Sequence, residues 1–230
     1  MARPGVDVSF RTEVFPNGFF AQKAAARIAA DLPGAESVVL TGGTTAEKIY
    51  RAFPDTGMTL GSKDVLFSDE RCVPPDADAS NYAMALRTLG PALDGATIHR
   101  MRGEDDPPSA AEAYSDEIRG LVHDGLDLLL VGMGADCHVC AMFPGSPALD
   151  EKDALCLAVD RPDGMKGLTL TPPAVLSAKR VILLVSGEGK ADAVTRVVNG
   201  SGPLTDCPAR VLAGHPDVTF LLDEAAAARL

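Results

Sequence analysis

Tryptophan is absent from this chain and aromatic residues make up only 5% of it, so a core has to be assembled from Ala, Val, Leu and Ile. That composition is ordinary for a globular protein. No run of about 18 apolar residues occurs, which leaves no obvious membrane-spanning helix. The opening MARPGVDVSF has no basic segment followed by an apolar one, so no signal peptide is expected and the expected location is the cytoplasm. Basic residues are also scarce: 21 Lys and Arg stand against 32 Asp and Glu, a net charge of −11. Acidic residues scattered along the chain repel nucleic-acid backbones and anionic membranes, so no nucleic-acid and no membrane partner is expected. Five cysteines at irregular spacing make no disulfide framework. Cys137-x-x-Cys140 lacks the second ligand pair of a zinc site, so no metal is expected. A thioredoxin-like redox pair is the reading it leaves open.

What is present is an alternation of helical and strand-like segments. Helical patterns run over Gly18 to Asp31, Thr45 to Phe53, Asn81 to Leu89, Ala110 to Val122 and Lys190 to Val198. Between them lie strand-like Ser37 to Leu40, Asp64 to Ser68, Ala96 to Arg100, Leu126 to Gly132, Ala154 to Val159, Leu168 to Thr171 and Arg180 to Val185, with a last strand Val218 to Leu222 and a short helix after it. This order predicts an α/β fold of three layers, α/β/α, around a mostly parallel, Rossmann-like sheet.

Chemistry gathers at the predicted strand ends. Thr41-Gly-Gly-Thr-Thr45 joins a strand to a helix, and glycines, hydroxyls and N–H groups at such a turn can hold a phosphate. The same turn also reads as a plain one with Thr44 or Thr45 as helix cap. Ser68-Asp-Glu-Arg71, followed by Ser80-Asn81, places charged groups beyond another strand, suited either to sugar hydroxyls or to a solvated loop with an internal ion pair. Leu128 to Gly145 runs from an apolar strand into a glycine turn carrying Asp136 and His138, and an imidazole there can act as a general base. His99, His123 and His215 stand in contexts without clustered polar partners and read as surface or core residues.

In order and spacing, Thr41 to Thr45, Ser68 to Arg71 with Ser80-Asn81, Gly132-Met-Gly-Ala-Asp136 with His138 and Phe143-Pro-Gly145, and Gly187 to Lys190 resemble the 6-phosphogluconolactonases. These belong to a broader group that includes the glucosamine-6-phosphate deaminases. Arg71 after Asp-Glu resembles the lactonases, where the deaminases usually carry tyrosine. The resemblance covers nearly the whole chain and implies one domain over residues 1–230. It also implies hydrolysis of 6-phospho-D-glucono-1,5-lactone in the oxidative pentose phosphate pathway, with no cofactor. The partner would be a phosphorylated sugar lactone, and the protein a monomer or weak homo-oligomer. His138 would take the proton of water, Asp136 would orient it, and Arg71 or backbone N–H groups would face the oxyanion. Asp69, Glu70 and Asn81 would hold hydroxyls or support the loop, and Gly43, Thr44, Thr45 and Lys190 would receive the phosphate.

The chain also departs from that family. Asp136-Cys-His-Val-Cys-Ala141 replaces the usual Asp-Gly-His-Thr-Ala-Ser. A cysteine where glycine's positive φ is needed is expected to be strained by about 1 to 3 kcal/mol. Gly167 stands where an arginine is common, and Lys166 is expected to supply the charge from next door. A related sugar-phosphate isomerase or deaminase, or a sugar-phosphate binding protein with impaired catalysis, are the alternative readings.

Overall fold

The protein is described from a computed structural model covering residues 10–121, 125–200 and 202–230. Its strands are β1 (Arg11–Phe15), β2 (Ser37–Leu40), β3 (Asp64–Phe67), β4 (Asp69–Arg71), β5 (Thr97–Ile98), β6 (Leu128–Gly132), β7 (Cys156–Asp160), β8 (Lys166–Leu170), β9 (Arg180–Val185) and β10 (Val218–Asp223). The helices are α1 (Phe20–Asp31), α2 (Thr44–Ala52), α3 (Asn81–Leu89), α4 (Pro107–Leu121), α5 (Pro172–Leu176) and α6 (Ala191–Val198). Val122, the expected last residue of α4, and His123 lie outside the described residues.

Strands β2, β6, β9 and β10 read as nearly unbroken apolar runs because both faces of the sheet are covered. They sit inside a seven-stranded sheet of order β1-β10-β9-β6-β2-β3-β5, and all its pairings are parallel. Successive residues point to opposite faces. Val38, Leu40, Leu128, Leu130, Ile182 and Leu184 therefore pack beneath α1, α2 and α3. Val39, Leu129, Val131, Val181 and Leu183 pack on the other side against α4, α5 and α6. The expected three-layer α/β/α fold is the observed one.

Chain order fixes where a ligand can enter. From β2 the chain runs outward through β3 to β5, then returns to place β6 on the other side of β2 and continues to β9 and β10, with the N-terminal β1 at the edge beyond β10. The loops leaving β2 and β6 thus part in opposite directions, and that divergence opens a crevice at the carboxyl ends of the two strands.

Some elements differ from the sequence reading. β7 and β8 leave the main sheet and form a small antiparallel sheet with β4, in the order β4-β8-β7, since a short turn can join strands only antiparallel. β1, with exposed charges alternating along Arg-Thr-Glu-Val-Phe, is an edge strand too polar to stand out in sequence. The helix expected after β10 is instead a series of turns.

His99 differs as well: it does have clustered polar partners. Its Nε2 meets Asp64 at 2.8 Å and its Nδ1 meets Glu117 at 2.7 Å, tying the start of β3 to α4. Burial pushes its pKa down, but the two carboxylates outweigh that and the net shift is upward. The pair therefore stabilises the fold fully below the unfolded value of about 6.5, and that stability is lost as pH rises through the raised folded value. A melting-temperature series from about pH 5.5 to about pH 8.5 should fall over the upper part of this range in the native protein and be flatter in His99→Asn. Parallel curves for the two proteins would contradict this role.

Candidate active site

The crevice at the divergence of β2 and β6 is a cleft of about 250 Å³. Thr41 to Thr45 supply one wall, Asp69 and Arg71 a second, and Gly132 to Gly134 with His138 a third, while Lys190 and Arg161 close it.

On the first wall, Gly43 at φ +93° is the cap position of α2, and no side chain caps that helix. Thr44 or Thr45 as cap is thus corrected. The leading N–H groups of α2 keep their affinity for an anion. Thr45 Oγ1 instead shares a 2.9 Å hydrogen bond with Ser186 Oγ, linking this turn to the loop after β9. That loop carries Lys190 and is pinned where the Gly187 N–H donates to the Asp223 carboxylate at the end of β10. Burial pushes the Lys190 pKa down and the Asp136 charge pulls it back up, with a net lowering. Its ammonium has no ion-pair partner among the described residues.

On the second wall, the chain crosses from β3 to β4 at the fully buried Ser68, whose hydroxyl donates to Asp69 at 3.0 Å. Asp69 and Arg71 line the cleft, but Glu70 and Asn81 do not. The Glu70 carboxylate accepts from the N–H groups of Arg71, Asn81 and Tyr82 and from Ser80 Oγ, at 2.7 to 2.9 Å, and so anchors the N-terminus of α3. Burial raises its pKa against those bonds. Asn81 donates from Nδ2 to Asp69 O at 2.8 Å and packs against Gly42. Of the two roles expected for these residues, the geometry fits loop support. Arg71 donates from Nη1 to Ala79 O at 2.6 Å, and its Nε is buried without a hydrogen-bond partner among the described residues.

The third wall is a tight turn beyond β6. The Gly134 N–H donates to His138 O, the Cys137 N–H to Gly134 O, and the Ala141 N–H to Thr169 Oγ1, while Ala209 N–H holds Cys137 O. Within it Cys137 has φ +70° and Cys140 φ +54°, both in the left-handed region. The surrounding bonds hold Cys137 in a conformation that costs a non-glycine residue about 1 to 3 kcal/mol. Burial raises the thiol pKa of both cysteines, Cys137 further through neighbouring Cys207. Both thiols are buried, and neither stands at the helix start expected of a redox pair, so the structure does not favour that reading.

His138 Nδ1 lies 2.7 Å from Asp136 Oδ1, which also accepts from the His138 N–H at 3.2 Å. An ionised carboxylate only accepts, so in the neutral imidazole Nδ1 is the nitrogen that carries the proton and Nε2 the one with the lone pair. Burial pushes the Asp136 pKa up, but His138 and the N–H groups outweigh it and hold it down. The Phe143 ring packs 4.5 Å from the imidazole, centroid to centroid. Gly134 makes the pair possible: a Cβ there would lie 2.1 Å from His138 Nδ1 and 2.2 Å from Asp136 Oδ1. His215, by contrast, is a core residue, buried with Nε2 2.5 Å from Ala178 O.

Lys166 is not at the cleft. It is exposed and paired with Asp160 at 2.5 Å, because β8 directs it away from the site. The cation of this hairpin that does reach the cleft is Arg161, which sequence reasoning missed. Arg161 follows β7, and the glycine at 167 is the signal that could have pointed to it: a Cβ at 167 would meet Arg161 Cδ at 3.0 Å.

A general base backed by a carboxylate, facing an uncapped helix start and an unpaired lysine, suits hydrolysis of an anionic substrate. The chain belongs to the glucosamine-6-phosphate isomerase/6-phosphogluconolactonase family, whose model matches residues 18–220. Among named relatives, the 6-phosphogluconolactonase of Mycobacterium tuberculosis is 36% identical over 214 residues, covering 86% of each chain. The solved 6-phosphogluconolactonase of Trypanosoma cruzi is 25% identical, with a TM-score of 0.84 over 97% of both chains. A solved monomeric glucosamine-6-phosphate deaminase matches at 23% identity and a TM-score of 0.83, over 96% of this chain and 100% of its own, which shows the fold alone.

Gly134→Ala should force His138 and Asp136 apart. A crystal structure of that variant is expected to show their bond lengthened beyond hydrogen-bond range, and a separation still at 2.7 Å would refute the steric role of this glycine.

Proposed function

We propose that this protein is a 6-phosphogluconolactonase, opening 6-phospho-D-glucono-1,5-lactone with water to 6-phospho-D-gluconate in the oxidative pentose phosphate pathway. The observation that carries the proposal is the Asp136–His138 pair, with no hydrogen bond to Nε2 among the described residues, in the cleft that Lys190 also lines. His138 Nε2 takes a proton from water as the water oxygen bonds to the lactone carbonyl carbon. Asp136 favours the imidazolium so formed. Arg71, which lines the cleft, faces the carbonyl oxygen as it becomes an oxyanion. When the bond between that carbon and the ring oxygen breaks, the imidazolium returns its proton to the departing oxygen. General acid–base help of this kind is typically worth about 10² to 10⁴ in rate.

Binding is divided along the cleft. The N–H groups of Gly43, Thr44 and Thr45 at the start of α2, with the Lys190 ammonium, hold the phosphate. Asp69 accepts from a sugar hydroxyl. Glu70 and Asn81 keep Asp69 and Arg71 in place from behind the wall. Relatives named 6-phosphogluconolactonase at 31 to 36% identity support this choice of substrate over an amino sugar.

Purified protein should hydrolyse freshly prepared 6-phosphogluconolactone faster than buffer, and His138→Ala should remove the excess rate. Equal rates for the two proteins would remove His138 as the base. Ammonia release from glucosamine 6-phosphate, without lactone hydrolysis, would assign the protein to the deaminase branch. Substrate binding with no turnover would leave a sugar-phosphate binding protein.

A further inference from the structure

Arg161 occupies the cleft without any role in the steps above. It follows β7 directly and closes the hairpin to β8, with its N–H donating to Met165 O at 3.0 Å and its own carbonyl accepting from the Gly164 N–H at 3.0 Å. The side chain is only 10% exposed, although it belongs to a surface hairpin. Its guanidinium carbon lies 5.3 Å from the centre of the Phe143 ring, the same ring that packs against His138. Nε and Nη2 bond to Asp163 Oδ2 at 3.2 and 3.0 Å.

That arrangement fixes one edge of the guanidinium and leaves the other available. Asp163 takes Nε and one side of Nη2, and Nη1 has no partner among the described residues. An arginine stacked on an aromatic face and held by one edge has already lost most of its rotamer freedom, so little more is lost when it binds a ligand. The position depends on Gly167. A Cβ at 167 would lie 3.0 Å from Arg161 Cδ and 3.2 Å from Glu70 O, so any larger residue displaces either the arginine stem or the β4 backbone. In a chain of net charge −11, the cleft is lined by Arg71, Arg161 and Lys190 against Asp69, a local excess of positive charge. It suits an oxyanion of charge near −2, which one ammonium cannot neutralise.

We infer that Arg161 is a substrate-binding residue that grips the phosphate of the sugar lactone together with Lys190, in space left by the missing side chain of Gly167. This deepens the lactonase reading and rests on it for the substrate, but the phosphate contact can be read without turnover.

Two measurements on the native protein, Arg161→Gln and Gly167→Ala separate the possibilities. Titration of inorganic phosphate followed by 31P NMR should show binding weakened about tenfold or more in Arg161→Gln, and less severely in Gly167→Ala, with melting temperatures recorded alongside. Unchanged phosphate affinity in Arg161→Gln overturns the inference whether or not any lactone is hydrolysed. In the kinetic arm, kcat/KM on the phosphorylated lactone should fall by about tenfold or more in Arg161→Gln, while hydrolysis of unphosphorylated glucono-1,5-lactone stays near its native rate. Equal losses on the two lactones would place Arg161 at the reacting carbonyl or in the fold, and would overturn the phosphate role. Native protein that binds phosphate through Arg161 yet hydrolyses neither lactone would sink the lactonase reading and leave this contact standing.

Discussion

The hydrogen bond between His138 and Asp136 decides which nitrogen of the imidazole is available for chemistry, and it depends on a crowded piece of backbone. At 2.7 Å from an ionised carboxylate, Nδ1 must carry the proton. Nε2 is then left as the acceptor, which is the form a base for water requires. The pair lies directly over Gly134, and the turn that carries it is closed by bonds from Thr169, Ala209 and its own backbone. Those bonds also hold Cys137 at a positive φ, so the strain of this chain's unusual motif is absorbed by the same turn that aims the histidine.

The sheet supplies the remaining constraint. Because β6 returns to the opposite side of β2 from β3, the loop bearing His138 and the glycine turn before α2 face one another across a crevice that the topology itself creates. Thr45 bonds to Ser186, and Asp223 pins Gly187, so the loop that presents Lys190 is tied to the start of α2 and to the end of β10. Charge recognition and proton transfer thus rest on a few loops at strand ends, while a mainly aliphatic core below them keeps those ends in register.

Much of this was legible in the residues. Apolar runs such as Leu128 to Val131 announce buried parallel strands, and the motifs at strand ends identified the family before any geometry was known. What sequence could not show was direction. Lys166 and Arg161 are five residues apart on one hairpin, yet β8 sends Lys166 to solvent and Asp160 while Arg161 turns inward over Phe143. For Glu70 and Asn81 the residues left two roles open, holding hydroxyls or supporting the loop, and the pleat and the start of α3 favour anchors behind the wall. His99 seemed isolated because both its carboxylates come from distant parts of the chain. In each case the missing information was tertiary: a strand's facing or a long-range partner.

The most direct test of the account is the tautomer of His138 in the neutral protein, read from the 15N chemical shifts of its ring by multiple-bond 1H–15N NMR. The account predicts a protonated Nδ1 and an unprotonated Nε2, a pattern that should be lost in Asp136→Ala. A neutral His138 carrying its proton on Nε2 would contradict it, because no lone pair would then face the cleft to accept a proton from water.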